Sequence, residues 1–283
     1  MIRVAFIGGL TNGRVVFDYL RRNKFVNLVM TITYPDSYLS PRSHPFPEGE
    51  SVFKTLDANS FAEKLDRCAL DYIFVAGWSQ LIGQKILESP SGGVIGFHPS
   101  RLPMDRGRSV LAWQIEAGSK ESGVSMFYYD TLPDAGDIIA FEPFSIAKDD
   151  YINDVLDKVD LATLNLMRAY FPLIRVRQAP RRPQSIQEGN FRRLRTDYDS
   201  LINWNRDKTE VFNKIRAISR PYPGAIAELD HKKYRVYRAE VLEDFPFSQG
   251  LKPGSIAGKM HDGTIIVSSR NGFLRILEYE LIE

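Results

Sequence analysis

A single histidine at the end of an apolar run is the residue of this chain best suited to acid–base chemistry. His98 follows the run 94–97 and precedes Pro99, so the chain leaves a predicted strand at the imidazole. An imidazole titrates near neutral pH and can take a proton from an attacking amine. Further along the chain, carboxylate side chains occur in the turn Asp134-Ala135-Gly136-Asp137. Together, in this order, these residues predict a His/Asp site for acyl transfer to an amine.

Two aspartates of that turn are candidates for the partner of His98. We prefer Asp134, because Gly136 would let the loop fold its backbone around a ligand, whereas Asp137 could cap or pair elsewhere. The carboxylate would orient and charge the imidazole, or relay protons through a water molecule. The alternative interpretation of an aspartate in a Pro/Gly turn is turn chemistry alone.

Two arginines follow the histidine closely. Arg106 and Arg108 flank Gly107, and guanidinium groups beside a catalytic histidine could hold a phosphate or a carboxylate. A solvated pair of arginines is the alternative interpretation. We therefore take both arginines as candidate contacts for the substrate.

A glycine-rich turn near the start of the chain offers a second place for an anion. Residues 8–13 join a predicted strand to a predicted helix, and backbone amides at a helix start suit an anion. The candidate contacts here are Gly9, Thr11 and Asn12. The glycine spacing does not match G-x-G-x-x-G, which disfavours Asp36 as the ribose-binding acid of a dehydrogenase.

The elements that must position these residues alternate between strand and helix. In the first half of the chain, short apolar runs predict strands at 4–7, 28–33, 72–75 and 94–97, and helical spacing occurs at 15–20 and 61–65. This alternation is typical of a parallel sheet covered on both faces. Gly8-Gly9, the segment 77–80 and His98 all fall at the carboxyl ends of predicted strands, where functional groups of such sheets lie.

The remaining sequence predicts the rest of this α/β domain, a linker and a second, smaller domain. Helices are predicted at 109–117, 151–176 and 207–218, and strands at 123–129, 138–144, 233–242, 264–268 and 273–279. The Arg-, Gln- and Pro-rich stretch 175–195 is typical of a linker. We predict a Rossmann-like α/β fold, with a mostly parallel sheet and helices on both faces, plus a small antiparallel β domain of OB-like type. The expected boundaries are 1–180, a linker at 181–205, and 206–283.

Composition limits the function classes. The chain has 283 residues and a formal net charge of +2, which argues against a dedicated nucleic-acid binder. A single cysteine, Cys68, allows no internal disulfide and fits a cytoplasmic setting. The start of the sequence lacks the layout of a signal peptide, and no apolar run reaches the ~20 residues of a membrane span. Histidine and cysteine are too sparse to imply a metal site.

At the quoted residues the chain resembles the formyltransferases that use formyl-tetrahydrofolate. That family includes methionyl-tRNA formyltransferase, glycinamide ribonucleotide transformylase and the sugar N-formyltransferases. Its motif is Asn-x-His, a Ser-Leu-Leu-Pro-like run, Arg-Gly and a later Asp-x-Gly. The matching segments here are 98–103, 106–107 and 134–136. Residues 201–204, 215–217, 220–225 and 253–255 are similar to the family's C-terminal domain and the junction into it.

The resemblance implies a donor site and a substrate site. Formyl-tetrahydrofolate would be held by Gly77, Trp78, Ser79, Gln80, Leu81, Ile82, Asp130, Leu132 and Asp134. His98 and Asp134 would be catalytic, and Ser100 would join the two arginines and the glycine-rich turn at the acceptor. The implied mechanism is direct transfer of the formyl group to a neutral amine, without a metal.

One residue departs from the family motif. Gly96 stands where the family has an asparagine whose amide helps to hold the carbonyl oxygen as negative charge develops, a contribution of ~3 kcal/mol. Another donor, such as Asn12 or a water molecule, could fill this role, and this is the explanation we favour. The alternatives are slower chemistry or a different acyl donor, and a protein that binds without catalysing.

The segment 34–50 helps to choose the acceptor. A tRNA acceptor would favour basic residues here and in the C-terminal domain, but this segment is rich in Pro and Ser, and Arg42 is its only Arg or Lys. We therefore predict an amino-sugar nucleotide as the acceptor, in lipopolysaccharide or glycan biosynthesis, and no nucleic-acid or membrane partner. Methionyl-tRNA formyltransferase is the alternative. A homodimer is compatible with the sequence.

Overall fold

The computed structural model describes residues 1–10, 12–39, 41–243 and 250–282. These residues form two compact units. The N-terminal unit comprises Met1–Gly107, Ser122–Ser145 and Leu156–Arg192. The C-terminal unit comprises Arg108–Glu121, Ile146–Val155 and Arg193–Glu283. The domain boundaries expected from the sequence, at 180 and 206, stay a prediction.

The N-terminal unit is built on one large sheet. The strands of this part of the chain are β1 (Ile2–Gly8), β2 (Val26–Thr33), β3 (Val52–Lys54), β4 (Tyr72–Ala76), β5 (Val94–His98), β6 (Arg106–Gly107), β7 (Glu121–Tyr128), β8 (Ile138–Ser145) and β9 (Phe191–Arg192). Seven of them form a sheet in the order β3-β2-β1-β4-β5-β7-β8, while β6 pairs with β9. The first five strands of this order are mutually parallel, and β7 is antiparallel to β5. The mostly parallel sheet predicted from the sequence is confirmed.

Helices accompany these strands. Among the described residues the α-helices are α1 (Asn12–Arg22), α2 (Ala62–Asp66), α3 (Gln84–Glu88), α4 (Val110–Glu116), α5 (Ile152–Arg175) and α6 (Lys208–Ala217). Of these, α4 and α6 belong to the C-terminal unit. The central strands are buried along their whole length, because both sheet faces are covered. One face packs a cluster that includes Ile7, Val75 and Val94 against Leu65 of α2 and Ile86 of α3.

Aromatic rings cover the opposite face of the sheet. Phe6 of β1 packs on Phe17 of α1, with ring centroids 5.8 Å apart, and Phe74 of β4 lies 6.2 Å from Phe171 of α5. Phe46 joins this group and stacks on Phe6 at 5.9 Å. Because Phe46 is buried, it anchors the proline-rich segment 34–50 to the sheet.

The C-terminal unit contains an antiparallel sheet. Its strands are β10 (Ala225–Leu229), β11 (Lys232–Leu242), β12 (Ile256–Lys259), β13 (Ile265–Ser269) and β14 (Gly272–Leu281). They are ordered β10-β11-β14-β13-β12, and every neighbouring pair is antiparallel. The antiparallel β domain expected from the sequence is confirmed. No helix among the described residues combines the length and apolarity needed to cross a bilayer.

Candidate functional site

His98 is the last residue of β5, at the carboxyl end of the parallel part of the sheet. Its side chain is buried, and both ring nitrogens face oxygen atoms. Nε2 lies 2.8 Å from the carbonyl oxygen of Asp105, and Nδ1 lies 3.5 Å from Oδ1 of Asp134. Because a carbonyl oxygen only accepts hydrogen bonds, Nε2 carries a hydrogen and donates it. Nδ1 is therefore the nitrogen that can take up a proton, and it does so beside a carboxylate.

Asp134 is held in place by residues of two other segments, Gly107 and Gln184. Its backbone has a φ of +55°, in the left-handed region that aspartate tolerates better than most residues. Its Oδ2 accepts a hydrogen bond of 2.9 Å from the backbone N–H of Gly107. Gln184 Nε2 donates to the carbonyl oxygens of Asp134 and Gly136, at 3.0 and 2.6 Å. The carboxylate is thus fixed with one oxygen directed at His98.

The two candidate aspartates of this turn have different surroundings. Asp137 lies 4.0 Å from Arg181, measured from Oδ2 to Nη1, so the structure brings Asp134 and not Asp137 to the histidine. A Cβ atom on Gly136 would lie 1.9 Å from the carbonyl oxygen of Tyr128. Close packing against β7 therefore explains this glycine, rather than the wrapping of a ligand expected from the sequence.

Asp105 connects the histidine to a distant segment. Its backbone N–H donates to Oδ1 of Asn190 at 2.6 Å, and its Oδ1 accepts from Asn190 Nδ2 at 2.9 Å and from Arg192 Nε at 2.7 Å. Directly after Asp105 and Asn190 along the chain, β6 and β9 pair as parallel strands. Residues 190–192, which the sequence placed in a linker, thus hold the carbonyl group that orients His98. The sequence offered no signal for this role.

The expected donor-binding segment follows β4. Trp78 stacks on Tyr34 with ring centroids 4.1 Å apart and an interplanar angle of 13°. The Tyr34 hydroxyl accepts a hydrogen bond of 2.9 Å from the backbone N–H of Ser79. The indole Nε1 of Trp78 is buried and has no hydrogen-bond partner among the described residues. This unpaired donor is suited to an acceptor group on a ligand.

The other expected donor contacts lie in exposed loops. Leu81 is 70% exposed and Leu132 is 61% exposed, so both side chains are accessible to a ligand. Gln80 is exposed and Ile82 is half-buried. Asp130 is exposed, and its carboxylate accepts a hydrogen bond of 2.6 Å from the backbone N–H of Thr131.

Close packing explains the glycines of the two loops after β1 and β4. Gly77 has a φ of +61°, and a Cβ atom there would lie 1.9 Å from the carbonyl oxygen of Leu10. Gly9 is buried against Thr33 and Tyr34. Asn12 is also buried, and its Nδ2 lies 3.4 Å from Oγ1 of Thr163 in α5. Thr11, the third contact expected in this turn, lies outside the described residues.

The remaining predicted contacts differ in accessibility. Ser100 is fully buried, and its hydroxyl donates to the carbonyl oxygen of Met104 at 2.7 Å, so its side chain supports the loop after β5. Arg106 is half-buried, and its Nε is buried without a hydrogen-bond partner among the described residues. Arg108 is exposed and belongs to the C-terminal unit. The described part of the chain has no cluster of three or more His, Cys, Asp or Glu side chains placed to hold a metal ion.

A further residue not predicted from the sequence lies beside Gly96. A Cβ atom on Gly96 would lie 1.9 Å from Cε1 of Tyr129, so the tyrosine ring fills the space that a side chain at position 96 would need. Burial raises the pKa of Tyr129, and the neighbouring Asp134 and Tyr34 raise it further. The phenol therefore stays protonated and can act as a hydrogen-bond donor.

Comparison with family models identifies both parts of the chain. Residues 2–169 match the formyl transferase model, and residues 195–283 match the model of the formyl transferase C-terminal domain. The chain belongs to the formyl transferase family. This membership makes it a formyl-group transferase, the enzyme class that the sequence predicted.

Similar proteins illustrate the range of this family. The chain is 29% identical over 222 residues to methionyl-tRNA formyltransferase of Syntrophus aciditrophicus, an alignment covering 78% of this chain and 70% of the relative. Two of the solved structures that share its fold contain a folate. HypX of Aquifex aeolicus, in complex with tetrahydrofolic acid, has a TM-score of 0.72 and 18% identity over all of this chain. The chain spans only 44% of HypX.

The other structure is an N-formyltransferase of Helicobacter canadensis in complex with folinic acid and dTDP-3-aminofucose. Its TM-score is 0.75 at 17% identity, covering 99% of this chain and 100% of the relative. At these identities the two structures show a common fold. Similarity of fold alone therefore leaves the acceptor of this chain to be argued from its own residues.

Proposed function

We propose that this formyl-group transferase moves a formyl group from formyl-tetrahydrofolate to the amine of an amino-sugar nucleotide. The observation that carries the proposal is the arrangement of His98 between Asp105 and Asp134. It leaves one imidazole nitrogen, Nδ1, able to take up a proton next to a carboxylate. Attack by an amine on a formyl carbon requires a base of this kind.

In the proposed reaction, His98 and Asp134 carry out the proton transfers. The amine nitrogen of the acceptor forms a bond to the formyl carbon, and the formyl oxygen gains negative charge. Nδ1 of His98 takes a proton from the attacking nitrogen, and Asp134 stabilises the resulting imidazolium. The bond between the formyl carbon and the folate nitrogen then breaks, and that nitrogen receives a proton by way of the His98/Asp134 pair. The products are a formamide and tetrahydrofolate, with no change in redox state.

The loops after β4 and β7 fit a folate donor. The ring system of a folate carries polar edges and apolar faces. Trp78 offers a buried and unpaired N–H, and Leu81 and Leu132 offer exposed apolar surface in these loops. We assign the pterin ring to this region, in agreement with the tetrahydrofolic acid and folinic acid present in the two related structures. The bound donor supplies the activated formyl carbon.

Charge distribution favours a small phosphorylated acceptor over tRNA. Arg42, the only Arg or Lys of segment 34–50, donates to Asp157 at 2.6 Å and to Asp160 at 3.2 Å, so its charge is neutralised within the protein. Arg106, in contrast, forms no ion pair with any residue that the structure describes, and its Nε is buried without a hydrogen-bond partner among them. A guanidinium group in this state suits a phosphate oxygen. The dTDP-3-aminofucose in the Helicobacter canadensis structure is an acceptor of this class.

A product screen by mass spectrometry tests the proposal. The full chain is incubated with formyl-tetrahydrofolate and a panel of amino-sugar nucleotides, and products are searched for the mass of one added formyl group. A formylated product that is lost in His98→Gln and retained in Asp137→Asn supports the proposal. Absence of any formylated nucleotide sugar, with a folded chain that binds the donor, would overturn the acceptor assignment.

One observation favours a second acceptor. The relative from Syntrophus aciditrophicus is a methionyl-tRNA formyltransferase at 29% identity. The same screen therefore includes charged initiator tRNA. Faster formylation of this tRNA than of every amino-sugar nucleotide would identify the chain as a tRNA-modifying enzyme. The expected salt dependence also differs, because tRNA binding weakens steeply as salt rises and binding of one small phosphorylated sugar does so less.

A further inference from the structure

The space beside Gly96 is occupied, and its occupant is a tyrosine ring. Gly96 lies in β5, two residues before His98, so the Cα–Cβ directions of the two residues point to the same sheet face. A Cβ atom on Gly96 would lie 1.9 Å from Cε1, 2.7 Å from Cδ1 and 2.9 Å from Cζ of Tyr129. Even a methyl group does not fit there. The glycine is therefore required by the ring.

Strand register explains why the ring lies there. In the antiparallel pairing of β5 with β7, Gly96 is opposite Phe127. Tyr129 follows two residues later on the same face, and its backbone N–H donates to the carbonyl oxygen of Val94 at 2.8 Å. The ring stacks on Phe127 with centroids 5.2 Å apart and an interplanar angle of 24°. The pairing and the stacking hold the ring over Gly96.

The hydroxyl of Tyr129 is available as a donor. Cζ, which carries the hydroxyl, is among the three ring atoms nearest to the missing side chain, so the oxygen lies one bond further on. The phenol interacts electrostatically with Asp134, the partner of His98, and with Tyr34, which follows the carboxyl end of β2. No hydrogen-bond partner of this hydroxyl is recorded in the described part of the chain.

Asn12, the substitute donor considered from the sequence, is placed differently. Its Nδ2 lies 3.4 Å from Thr163 Oγ1 in α5. Helix α5 packs on the sheet face that carries Phe74, whereas Tyr129 packs with the cluster containing Val75 and Val94 on the other face. Of these two residues, Tyr129 is the one that lies beside Gly96.

We propose that the Tyr129 hydroxyl donates a hydrogen bond to the formyl oxygen as it becomes negatively charged, in place of the asparagine amide that Gly96 lacks. The inference rests on the proposed formyl transfer and adds a catalytic residue to it. The O–H bond of Tyr129 stays intact, and the proton movements remain those of His98 and Asp134. A preorganised donor of this kind stabilises the transition state more than the ground state.

Tyr129→Phe removes the hydroxyl and keeps the ring. We expect kcat for formyl transfer to fall about 10²- to 10³-fold, the usual effect of losing one such donor, while KM for the donor changes less than threefold. Tyr128→Phe is the matched control, because Tyr128 is the adjacent tyrosine and its ring packs under Arg181 instead. Equal and small effects of the two variants on kcat would contradict the proposal.

A spectroscopic measurement separates this inference from the identity of the acceptor. The infrared carbonyl stretch of ¹³C-formyl-labelled 10-formyl-5,8-dideazafolate is recorded on the wild-type chain and on Tyr129→Phe. We expect the stretch at higher wavenumber in the variant, because a hydrogen bond to the oxygen has been lost. An unchanged stretch overturns the inference. A shift without any formylated sugar overturns only the acceptor assignment, and absence of binding to wild type overturns both.

A paired substitution provides a second test. Gly96→Asn alone introduces a side chain into the ring of Tyr129, and we expect loss of activity or of folding. Gly96→Asn combined with Tyr129→Ala makes space for the amide, and we expect at least tenfold higher kcat than in Tyr129→Ala alone. Full activity of Gly96→Asn in the presence of Tyr129 would show that the ring does not fill this place.

Discussion

Nε2 of His98 and the backbone carbonyl oxygen of Asp105 lie 2.8 Å apart. This contact determines which nitrogen can take up a proton, because Nε2 must keep its hydrogen in both protonation states of the ring. Proton uptake is left to Nδ1, which faces Asp134. The backbone of one loop thus selects the tautomer of the proposed base.

We predict different roles for the two ring nitrogens of His98: Nε2 orients the ring, and Nδ1 takes up the proton. In His98→Gln the side-chain amide can still donate to the carbonyl oxygen of Asp105, but no atom takes a proton at the Nδ1 position. We expect kcat to fall about 10²- to 10⁴-fold, with the melting temperature within a few degrees of wild type. His44→Gln, at an exposed histidine, is the control. Substantial activity in His98→Gln would show that Nδ1 is not the base.

Asp134 and Asp137 form a matched pair for mutagenesis. Asp134→Asn keeps an oxygen that can accept from the Gly107 N–H, but it removes the negative charge that stabilises an imidazolium. We expect kcat to fall about 10²-fold. Asp137→Asn, three residues later and directed at Arg181, should stay within threefold of wild type. Steady-state kinetics of both variants measures the difference, and similar losses would argue against a special role for Asp134.

Asn190 is predicted to act through Asp105 as a positioning residue. Asn190→Ala removes two hydrogen bonds to Asp105 and frees the carbonyl group that orients His98. Because small misplacements of catalytic groups are costly, we expect kcat to fall about tenfold or more while KM stays nearly constant. Gln187→Ala, an exposed residue of the same segment, is the control. A rise in KM with unchanged kcat would indicate a role in binding instead.

Arg42 and Asp160 predict a pH-dependent contribution to stability. Burial raises the pKa of Asp160 to about 6, and Arg42 opposes this rise. A carboxyl whose pKa is higher in the folded than in the unfolded state makes the protein less stable as the pH rises from ~4 to ~6. In Arg42→Met the pKa of Asp160 should rise further, so the loss of stability continues to higher pH.

Urea unfolding at two pH values measures this effect. At pH 5 Asp160 is mostly protonated and gains little from Arg42, so the variant should be close to wild type. At pH 8 the half-buried carboxylate has lost a charged partner, and we expect a decrease of about 1 kcal/mol in the free energy of unfolding. Arg67→Met, at an exposed arginine of the same unit, provides the comparison. An equal loss at both pH values would contradict the role of Asp160.

The sequence predicted the elements with strong apolar patterns. The run 94–97 corresponds to Val94–His98, and the long amphipathic stretch 151–176 corresponds to Ile152–Arg175. The short strands Val52–Lys54 and Ile256–Lys259 were not predicted. They are only partly buried, and they depend on neighbouring strands for pairing rather than on an apolar pattern of their own.

The residues of the candidate site also differ in whether the sequence could predict them. His98 and Asp134 could be proposed because each has a local signal, a strand end or a Gly-containing turn. The role of Asn190 had no local signal, because it arises from the pairing of β6 with β9 across distant parts of the chain. The position of Tyr129 over Gly96 depends on the register between two strands, which an apolar pattern alone does not specify.

The close approach of Gly96 and Tyr129 also restricts how this chain can diverge. A larger residue at 96 collides with the ring, and loss of the ring leaves an empty space where the related enzymes carry an amide. A substitution at position 96 is therefore tolerated only when position 129 changes as well, and the reverse also holds. Passage between the glycine–tyrosine and the asparagine arrangements therefore crosses an unfavourable single mutant. Descendants of this chain are expected to inherit the two residues as a unit.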